Sequence, residues 1–543
     1  MDVNLSKEEG VRIAVVGCGH GVLNDIYASV EEAAKRAGWD SGPDLLIVGG
    51  DFQSVRNLYD LNCVSVPPKY RELGDFHEYY SGARTAPYLT LFVGGNHEAS
   101  NYLFELYFGG WVAPNIYFMG AANVLRFGPL RIMGIGGIYK PYDYREPHHE
   151  RLPYSENDKK TVFHTRELDV SKLHQIRTHL DICMSHDWPN GVEWCGNYEQ
   201  LFKFKPHLEE DARNHQLGSM SSKVLMANLK PRFWFSAHLH CEYVAKVQWD
   251  KPAEKQQGNK DEIDLEADDD DNDARAELPE VFHGNGLSYH ERIEDARYRI
   301  TNKTTKFLAL DKLLPGRRFM RAITIRPRKN QDIVAERPFK LTYDPEWLAI
   351  TRAFAQQEPL TVGDPSAEVP GVKGWFETAR LIDDNWTWIN EHLSEADLIV
   401  PENFEITAPV YDGGRLRDIG NYGRVREYPN PQTQRYCELI EIDNPLEVSD
   451  AQIDANVAKG ETFFVVRERS NAYDMYRPGP TRGGGAHRGG DSGGRGGGNR
   501  GGRGGGNRGG RGGGHRGGRG GKNNRGYGDR GGRARNLFNI YSG

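Results

Sequence analysis

The sequence has no apolar run close to the roughly 20 residues with which a helix crosses a bilayer, and this argues against a membrane-embedded protein. Its six cysteines are scattered without a CxxC pair, and the N-terminus MDVNLSKEEG lacks a basic region followed by an apolar stretch. We therefore expect a reduced, intracellular protein. One glycine is also missing: GCGHGV, from Gly17, lacks the last glycine of a dinucleotide-binding loop, which argues against that function.

Charge is divided unevenly along the chain. The net charge of the 543 residues is −7, but the residues from Arg482 onward hold thirteen arginines and one lysine against two aspartates. The glycine-dense repeats around these arginines predict a disordered tail over residues 476–543. Arginine contacts phosphates and stacks on bases without a fixed fold, so the tail favours nucleic-acid binding over a merely solubilising role.

The run DEIDLEADDDDNDARAELPE, from Asp261, is strongly acidic. It is too charged to bury, and it lacks the spacing and the glycine of a calcium-binding EF-hand loop. We therefore expect residues 251–300 to form a disordered insertion.

Six short apolar runs in the first half of the chain each end on Gly or Ser and then on polar residues. They are RIAVVGCGH, DLLIVGGD, PYLTLFVGGNHE, LRIMGIGG, LDICMSHD and RFWFSAHLH. Such runs are typical of strands buried on both faces, and amphipathic segments such as DIYASVEEAAKRAG supply covering helices. The sequence therefore predicts an α/β fold.

Five of these predicted strands end on side chains that can bind metal ions. In open α/β sheets, functional groups gather beyond the carboxyl ends of the strands, so residues far apart in sequence can meet there. Histidine and carboxylate suit Zn, Mn and Fe(II), and two such ions can activate water for an in-line displacement at phosphorus. The pattern predicts phosphoester hydrolysis at a site built from Cys18, His20, Asp51, Asn96, His97, His186, Asp187, His238 and His240.

The order GxxHG, GGD, GGNHE, SHD and SAHLH resembles the calcineurin-like metallophosphoesterase superfamily, whose fold is a two-sheet β-sandwich flanked by helices. That superfamily usually has aspartate where this chain has Cys18, and the cysteine in GCGHG is similar to the RNA lariat debranching enzymes. FHTRELDV, TTKFLALDKLLPGRRF and YDPEWLAITR fit the same family. The resemblance runs from about Arg12 to Phe354, apart from the acidic insertion.

Position by position, the resemblance implies two divalent-ion sites that share one carboxylate. Around the first ion it places His20, Asp51 and His240, with Cys18 beside them. Around the second ion it places Asp51, Asn96, His186 and His238. His97 is then the general acid that protonates the leaving ribose oxygen. Whether Cys18 is a soft ligand or a buried structural cysteine stays open, and we expect Fe(II), Zn(II) or Mn(II).

The stretch 136–168 matches the position of the lariat-recognition loop of that family. Its tyrosines and arginines supply stacking faces and phosphate contacts. The candidate substrate-binding residues are Tyr139, Tyr142, Arg145 and Arg166.

The predicted domains follow from these features. Residues 11–250 form the catalytic domain and 301–337 complete it. Residues 338–475 form a smaller, partly helical C-terminal domain, ahead of the RGG-rich tail.

These observations predict an enzyme that hydrolyses the 2′-5′ bond at the branch of excised intron lariat RNA and so supports mRNA processing. Two alternatives stay open. One is another enzyme of the superfamily, such as a phosphoprotein phosphatase or a nuclease of ordinary linkages; the other is a non-catalytic RNA-binding scaffold. The resemblance also implies a nuclear location, with shuttling to the cytoplasm, and spliceosome-associated partners, while the oligomeric state is left open.

Removing the residues after Tyr476 is expected to weaken RNA binding at low salt and to flatten its salt dependence. The reason is that the tail arginines add sequence-independent affinity by releasing counterions. Turnover at saturating substrate should change little, as kinetics of the truncated and full chains would measure. A large fall in that turnover would mean that the tail takes part in catalysis or folding.

Overall fold

The computed structural model describes residues 10–250, 265, 299–328, 337–357, 375–414 and 425–459. The predicted tail and nearly all of the predicted acidic insertion lie outside the described residues. The described chain forms thirteen strands: β1 Val11–Val16, β2 Leu45–Val48, β3 Thr90–Phe92, β4 Gly110–Ala113, β5 Ile116–Phe118, β6 Ala122–Phe127, β7 Leu130–Ile135, β8 Ile182–Ser185, β9 Phe233–Ser236, β10 Tyr243–Gln248, β11 Thr304–Ala309, β12 Met320–Ile325 and β13 Leu341–Tyr343.

These strands form two sheets. The first has the order β12-β1-β2-β3-β5-β4 and the second the order β10-β11-β9-β8-β7-β6-β13. In the first sheet β1, β2, β3 and β5 run parallel, and in the second β7, β8, β9 and β11 run parallel. The carboxyl ends of parallel neighbours lie at one edge of a sheet, so the loops that follow these strands are brought together there.

Twelve α-helices accompany the sheets in the described part of the chain. They are α1 Leu23–Arg36, α2 Phe76–Tyr80, α3 Ser100–Glu105, α4 Asp158–Thr161, α5 Glu167–Leu173, α6 Tyr198–Phe204, α7 His207–Arg213, α8 Met220–Leu229, α9 Pro345–Gln357, α10 Trp375–His392, α11 Pro431–Leu439 and α12 Asp450–Lys459. None of them combines the length and the hydropathy that a bilayer-spanning helix needs.

The alternation of side chains along β1 shows how the layers are held. Ile13 and Val15 belong to the core between the two sheets, whereas Ala14 and Val16 belong to a second core under α1. Successive residues of a strand point to opposite faces, so one apolar run supplies both cores. The predicted two-sheet sandwich with flanking helices is confirmed.

The predicted C-terminal domain begins with a strand of the sandwich. β13 pairs antiparallel with β6 and so lies in the second sheet, although it follows residue 337, where the sequence predicts the catalytic domain to end. Asp344, next in the chain, is buried and accepts hydrogen bonds from Arg126 and Arg131 at 2.7 and 2.8 Å. A three-residue strand has too little pattern to be recognised in the sequence.

The C-terminal segment also covers the outer strand of the first sheet. The Gln432 side chain accepts a hydrogen bond from the Trp111 N–H and donates one to the Trp111 carbonyl, both at 2.8 Å. An amide side chain thus takes the place of a neighbouring strand at β4, whose backbone groups would otherwise lack partners on that side. None of the six cysteines forms a disulfide bond.

Candidate active site

The side chains expected to bind metal lie in five loops, each of which directly follows a strand. β1, β2 and β3 lead into the loops with Cys18 and His20, with Asp51, and with Asn96 and His97. β8 and β9 of the second sheet lead to His186 and to His238 and His240. The structure brings all of these residues together, so the site is built at the common edge of the two sheets.

One group of ligand atoms comes from Cys18, His20, Asp51 and His240, and these atoms all lie within 4.8 Å of one another. The Nε2 atoms of His20 and His240 are 3.2 Å apart, and the His20 Nε2 lies 3.7 Å from Asp51 Oδ2. Cys18 is fully buried. This is the set that the resemblance assigns to the first ion.

A second group adjoins the first through Asp51. The His186 Nε2 lies 3.4 Å from Asp51 Oδ1 and 3.2 Å from Asn96 Oδ1. The Nδ1 of His238 lies 3.2 Å from the same His186 nitrogen. Asp51 therefore presents one oxygen to each group. Asp187 accepts a hydrogen bond from the backbone N–H of Trp188 at 2.9 Å, and this contact orders the loop.

Close backbone contacts join the two halves of the site. The His186 Nδ1 donates to the Gly49 carbonyl at 2.8 Å, which fixes the ring and turns Nε2 toward Asp51. A Cβ on Gly50 would lie 2.3 Å from that same Nδ1, and one on Gly95 would lie 2.3 Å from Asp51 Oδ1. Glycine at these two positions is thus required by the approach of the side chains.

Four of the converging residues have a backbone conformation that side chains other than glycine seldom adopt. Their φ angles are 46° at His20, 47° at Asp51, 54° at His238 and 49° at His240. Each such residue costs roughly 1–3 kcal/mol and persists only where its surroundings hold it. The concentration of strain here indicates a site selected for geometry rather than for stability.

Burial sets the protonation of the site. It lowers the pKa of His20 to about 4 and that of His240 to about 3, so both rings are neutral at pH 7. Burial opposes ionisation of Asp51, but the histidines around it, His186 foremost, hold its pKa well below the usual range. Burial raises the pKa of the Cys18 thiol. Neutral imidazoles and an ionised carboxylate are the forms that bind metal.

The chemistry of the donor set suits a cation. The Nε2 atoms of His20 and His240 face each other beside the Asp51 carboxylate, and two neutral imidazoles that meet in this way can share only one proton. A cation among these atoms satisfies all of them, and imidazole with carboxylate is a set that divalent transition metals accept. The residues therefore fit a divalent metal ion.

His97 is held differently from the ligand candidates. Its backbone N–H donates to Asp51 Oδ1 at 2.8 Å, and its ring Nδ1 donates to the Ser65 carbonyl at 3.2 Å. The ring is 6.0 Å from that of His20, measured between centroids. With Nδ1 occupied, Nε2 is the atom through which this half-buried ring can exchange a proton.

Glu98 is a functional residue that the sequence reasoning missed. Its buried carboxylate accepts hydrogen bonds from the N–H groups of Phe52, Gln53 and Gly95, at 2.8, 2.7 and 2.9 Å. It thereby fastens the loop after β2 to the loop after β3. Glu98 is the last residue of the motif GGNHE, but the sequence alone does not distinguish an acid that binds backbone N–H groups from one that binds metal.

The predicted recognition loop is anchored beside the site. The Gly137 N–H donates to the Gly94 carbonyl at 2.8 Å, two residues before Asn96. Tyr142 and Arg145 are exposed, at 68% for the tyrosine and 73% for the arginine side chain. Tyr139 is half-buried against Tyr144, with 5.3 Å between ring centroids. The loop therefore presents a tyrosine ring and a guanidinium group to solvent.

Arg166 corrects one prediction for this loop. The sequence suggested contact with RNA, but the side chain is completely buried and pairs with Glu150. It also donates to the carbonyls of Asp143 and Thr161, at 2.7 and 3.0 Å. A guanidinium so enclosed by its own loop organises that loop and presents no charge to a substrate.

The second sheet also places a cation near the site. Lys312 follows β11. Burial is the main cause of the low pKa of His20 and of His240, and the positive charge of Lys312 lowers both pKa values further. The resemblance gave this lysine no role, although it lies in the quoted stretch TTKFLALDKLLPGRRF.

Fold and site together define the class of protein. The family model described as calcineurin-like phosphoesterase matches residues 11–242, which hold all of the converging side chains. This part of the chain is a calcineurin-like phosphoesterase, and that fold implies divalent metal ions. A second family model, described as the C-terminal domain of lariat debranching enzyme, matches residues 302–445 and so begins before the predicted boundary at 338.

Curated relatives narrow the class to one family. A lariat debranching enzyme from Arabidopsis thaliana is 38% identical over 81% of this chain and 88% of its own length. Proteins of the same name from Schizosaccharomyces pombe and Homo sapiens are 36% and 38% identical, over 81% and 80% of this chain and 99% and 69% of theirs. The chain belongs to the lariat debranching enzyme family.

Gly50→Ala is expected to lower metal content and to reduce phosphodiester turnover about 10²-fold, because the new methyl group displaces the His186 ring. Gly38→Ala is the matched control: Gly38 also has a positive φ, 71°, but no atom lies within 4 Å of its added Cβ. The control should lose about 1–2 kcal/mol of stability and keep both metal and turnover. Elemental analysis and steady-state kinetics give the readouts, and equal losses in the two variants would contradict the assignment.

Proposed function

We propose that the protein hydrolyses the 2′-5′ phosphodiester bond at the branch of excised intron lariat RNA, which linearises the RNA for turnover. The observation that carries the proposal is the coincidence of two features. Two ligand groups share Asp51, and the same chain carries a C-terminal domain described as that of lariat debranching enzymes. A phosphatase or an ordinary nuclease gains no support from that second feature.

The residues act as follows. His20, Asp51 and His240, with Cys18, would hold one divalent ion, and Asp51, Asn96, His186 and His238 would hold the other. Such ions, when bound, activate water and neutralise charge on the phosphate. The mixture of imidazole, carboxylate, amide and thiol favours Fe(II), Zn(II) or Mn(II) over Mg(II).

His97 supplies the proton. With Nδ1 bound to the Ser65 carbonyl, the protonated ring donates from Nε2 to the ribose 2′ oxygen as that oxygen leaves. The Asp51 contact to the His97 backbone keeps the ring at a fixed position relative to the ligand groups. Glu98 ties the loop of Asn96 and His97 to the loop of Asp51, so the proton donor and the ligands are positioned together.

Substrate selection falls to the 136–168 loop. Tyr139, Tyr142 and Arg145 offer ring faces and a guanidinium to the branch nucleotide and its neighbours. The tail adds sequence-independent affinity for RNA.

A nuclear location and contacts with spliceosome-associated proteins belong to the same proposal, because lariats are products of splicing. Fractionation of cells would test the location.

One purified, metal-loaded sample should be assayed on branched RNA, on linear RNA and on a phosphopeptide. We expect cleavage of the 2′-5′ bond of the branched RNA, little reaction with linear RNA or the phosphopeptide, and complete loss after chelation. The products are identified by mass spectrometry. Preference for linear RNA or for the phosphopeptide, or full activity in a verified metal-free sample, would falsify the proposal.

His97→Ala is expected to reduce turnover about 10²-fold or more while metal content and lariat affinity stay near those of the unchanged protein. His238→Ala, the comparison variant, should lose metal as well as turnover because it removes a ligand. Single-turnover kinetics and elemental analysis separate the two effects. Equal metal loss in both variants would mean that His97 is a ligand and that the proton comes from elsewhere.

A further inference from the structure

The end of helix α6 is fastened to the loop that carries His238 and His240. Phe204 is the last residue of α6, and its side chain is 60% exposed. Lys205 follows, and its ammonium group donates a hydrogen bond of 3.1 Å to the carbonyl of Leu239, between the two histidines. A large exposed aromatic side chain is thus fixed beside the active site without a packing role that explains it.

The turn between β11 and β12, together with the start of β12, brings cations to the same place. Arg317 lies over the Phe204 ring, with its guanidinium carbon 5.5 Å from the centroid. Arg318 and Arg321 both pair with Glu242, at 2.8 and 2.6 Å, and their side chains are 74% and 43% exposed. One carboxylate therefore holds two guanidinium groups next to the stacked pair.

The charge of this surface contrasts with the rest of the body. Before Arg482, acidic residues outnumber basic ones in the sequence, yet the opposite holds here. We name the surface the Phe204 patch; it comprises Phe204, Lys205, Arg317, Arg318 and Arg321, with Asp311 and Glu242 as its acids. A local excess of positive charge on an otherwise acidic body attracts a polyanion to this place in particular.

The Phe204 patch and the 136–168 loop flank the site on opposite sides. The loop follows β7 and the turn leads on from β11, while β8 and β9, which carry the site histidines, lie between them. At about 4.8 Å per strand, three spacings separate β7 from β11 by about 14 Å. A branched RNA sends three strands out from one nucleotide, so a single recognition surface leaves some of them unsupported.

We propose that the Phe204 patch binds a single-stranded arm of the branched RNA as it leaves the active site. Phe204 and Arg317 stack on a base, and Arg318 and Arg321 contact the adjacent phosphates. Because every base has a π-face, this binding is independent of sequence. The inference rests on the proposed function and adds to it a second contact region, on the side away from the recognition loop.

The test uses the full chain loaded with metal and two branched RNAs that differ only in their arms: long single strands in one, a single nucleotide per arm in the other. Phe204→Leu keeps apolar bulk but removes the ring. The preference for the long-armed RNA is measured as its kcat/KM divided by the kcat/KM of the minimal RNA. Phe204→Leu should lower this ratio about tenfold, which is the usual effect of losing one stacking ring. Phe204→Trp should keep the ratio.

Arg435→Ala is the matched control for charge. Arg435 is half-exposed and pairs with Glu405 at 2.9 Å, much as Arg318 pairs with Glu242, but it lies in α11. Arg318→Ala should weaken binding of the long-armed RNA and flatten its salt dependence, whereas Arg435→Ala should leave both unchanged.

A second measurement separates this inference from the proposed function. Affinity for unbranched single-stranded RNA, measured by fluorescence anisotropy, does not depend on cleavage. If the unchanged protein cleaves neither branched RNA but Phe204→Leu still weakens this affinity, the debranching proposal is wrong and RNA binding by the Phe204 patch is supported. If neither the affinity nor the kcat/KM ratio responds to Phe204→Leu, the patch is not an RNA-binding surface.

Discussion

The structure depends on holding one buried carboxylate between two sheets. Asp51 is 1% exposed and lies within 3.7 Å of His20 from the first sheet and 3.4 Å of His186 from the second. A carboxylate buried without partners costs several kcal/mol, and the partner from the second sheet, His186, is in place only when the two sheets pack in one relative position. Packing of the apolar faces and assembly of the site are therefore a single event, since neither sheet carries a complete ligand group.

Strain at this junction is offset by contacts that the backbone itself makes. His20 and Asp51 have positive φ, and the backbone N–H of His20 donates to the Asp51 carbonyl at 2.5 Å. The Asp51 loop is fixed in turn by the hydrogen bonds that Glu98 accepts from three backbone N–H groups and by the His186 contact to Gly49. The ligand atoms are thus positioned by contacts within the protein. Preorganised ligands lose little freedom on binding, and this favours tight, specific coordination.

The sequence predicted the parts of the site that follow strand ends, because a buried strand and the polar residue after it are both visible locally. It failed where the outcome depended on partners elsewhere. Arg166 has the charge of an RNA contact, but its burial against Glu150 depends on how the loop folds back on itself. The stacking of Arg317 on Phe204 joins two distant segments and has no local signature. Strand β13 was missed because three residues carry too little periodicity.

The side chain of Gln432 has a consequence for solubility. By pairing with both backbone groups of Trp111, it closes the free edge of the first sheet without adding a strand. An open edge is a template on which the strand of another molecule can add, and this leads to aggregation. The C-terminal segment therefore shields this edge from strand addition, a protective duty that is separate from any part it plays in the reaction.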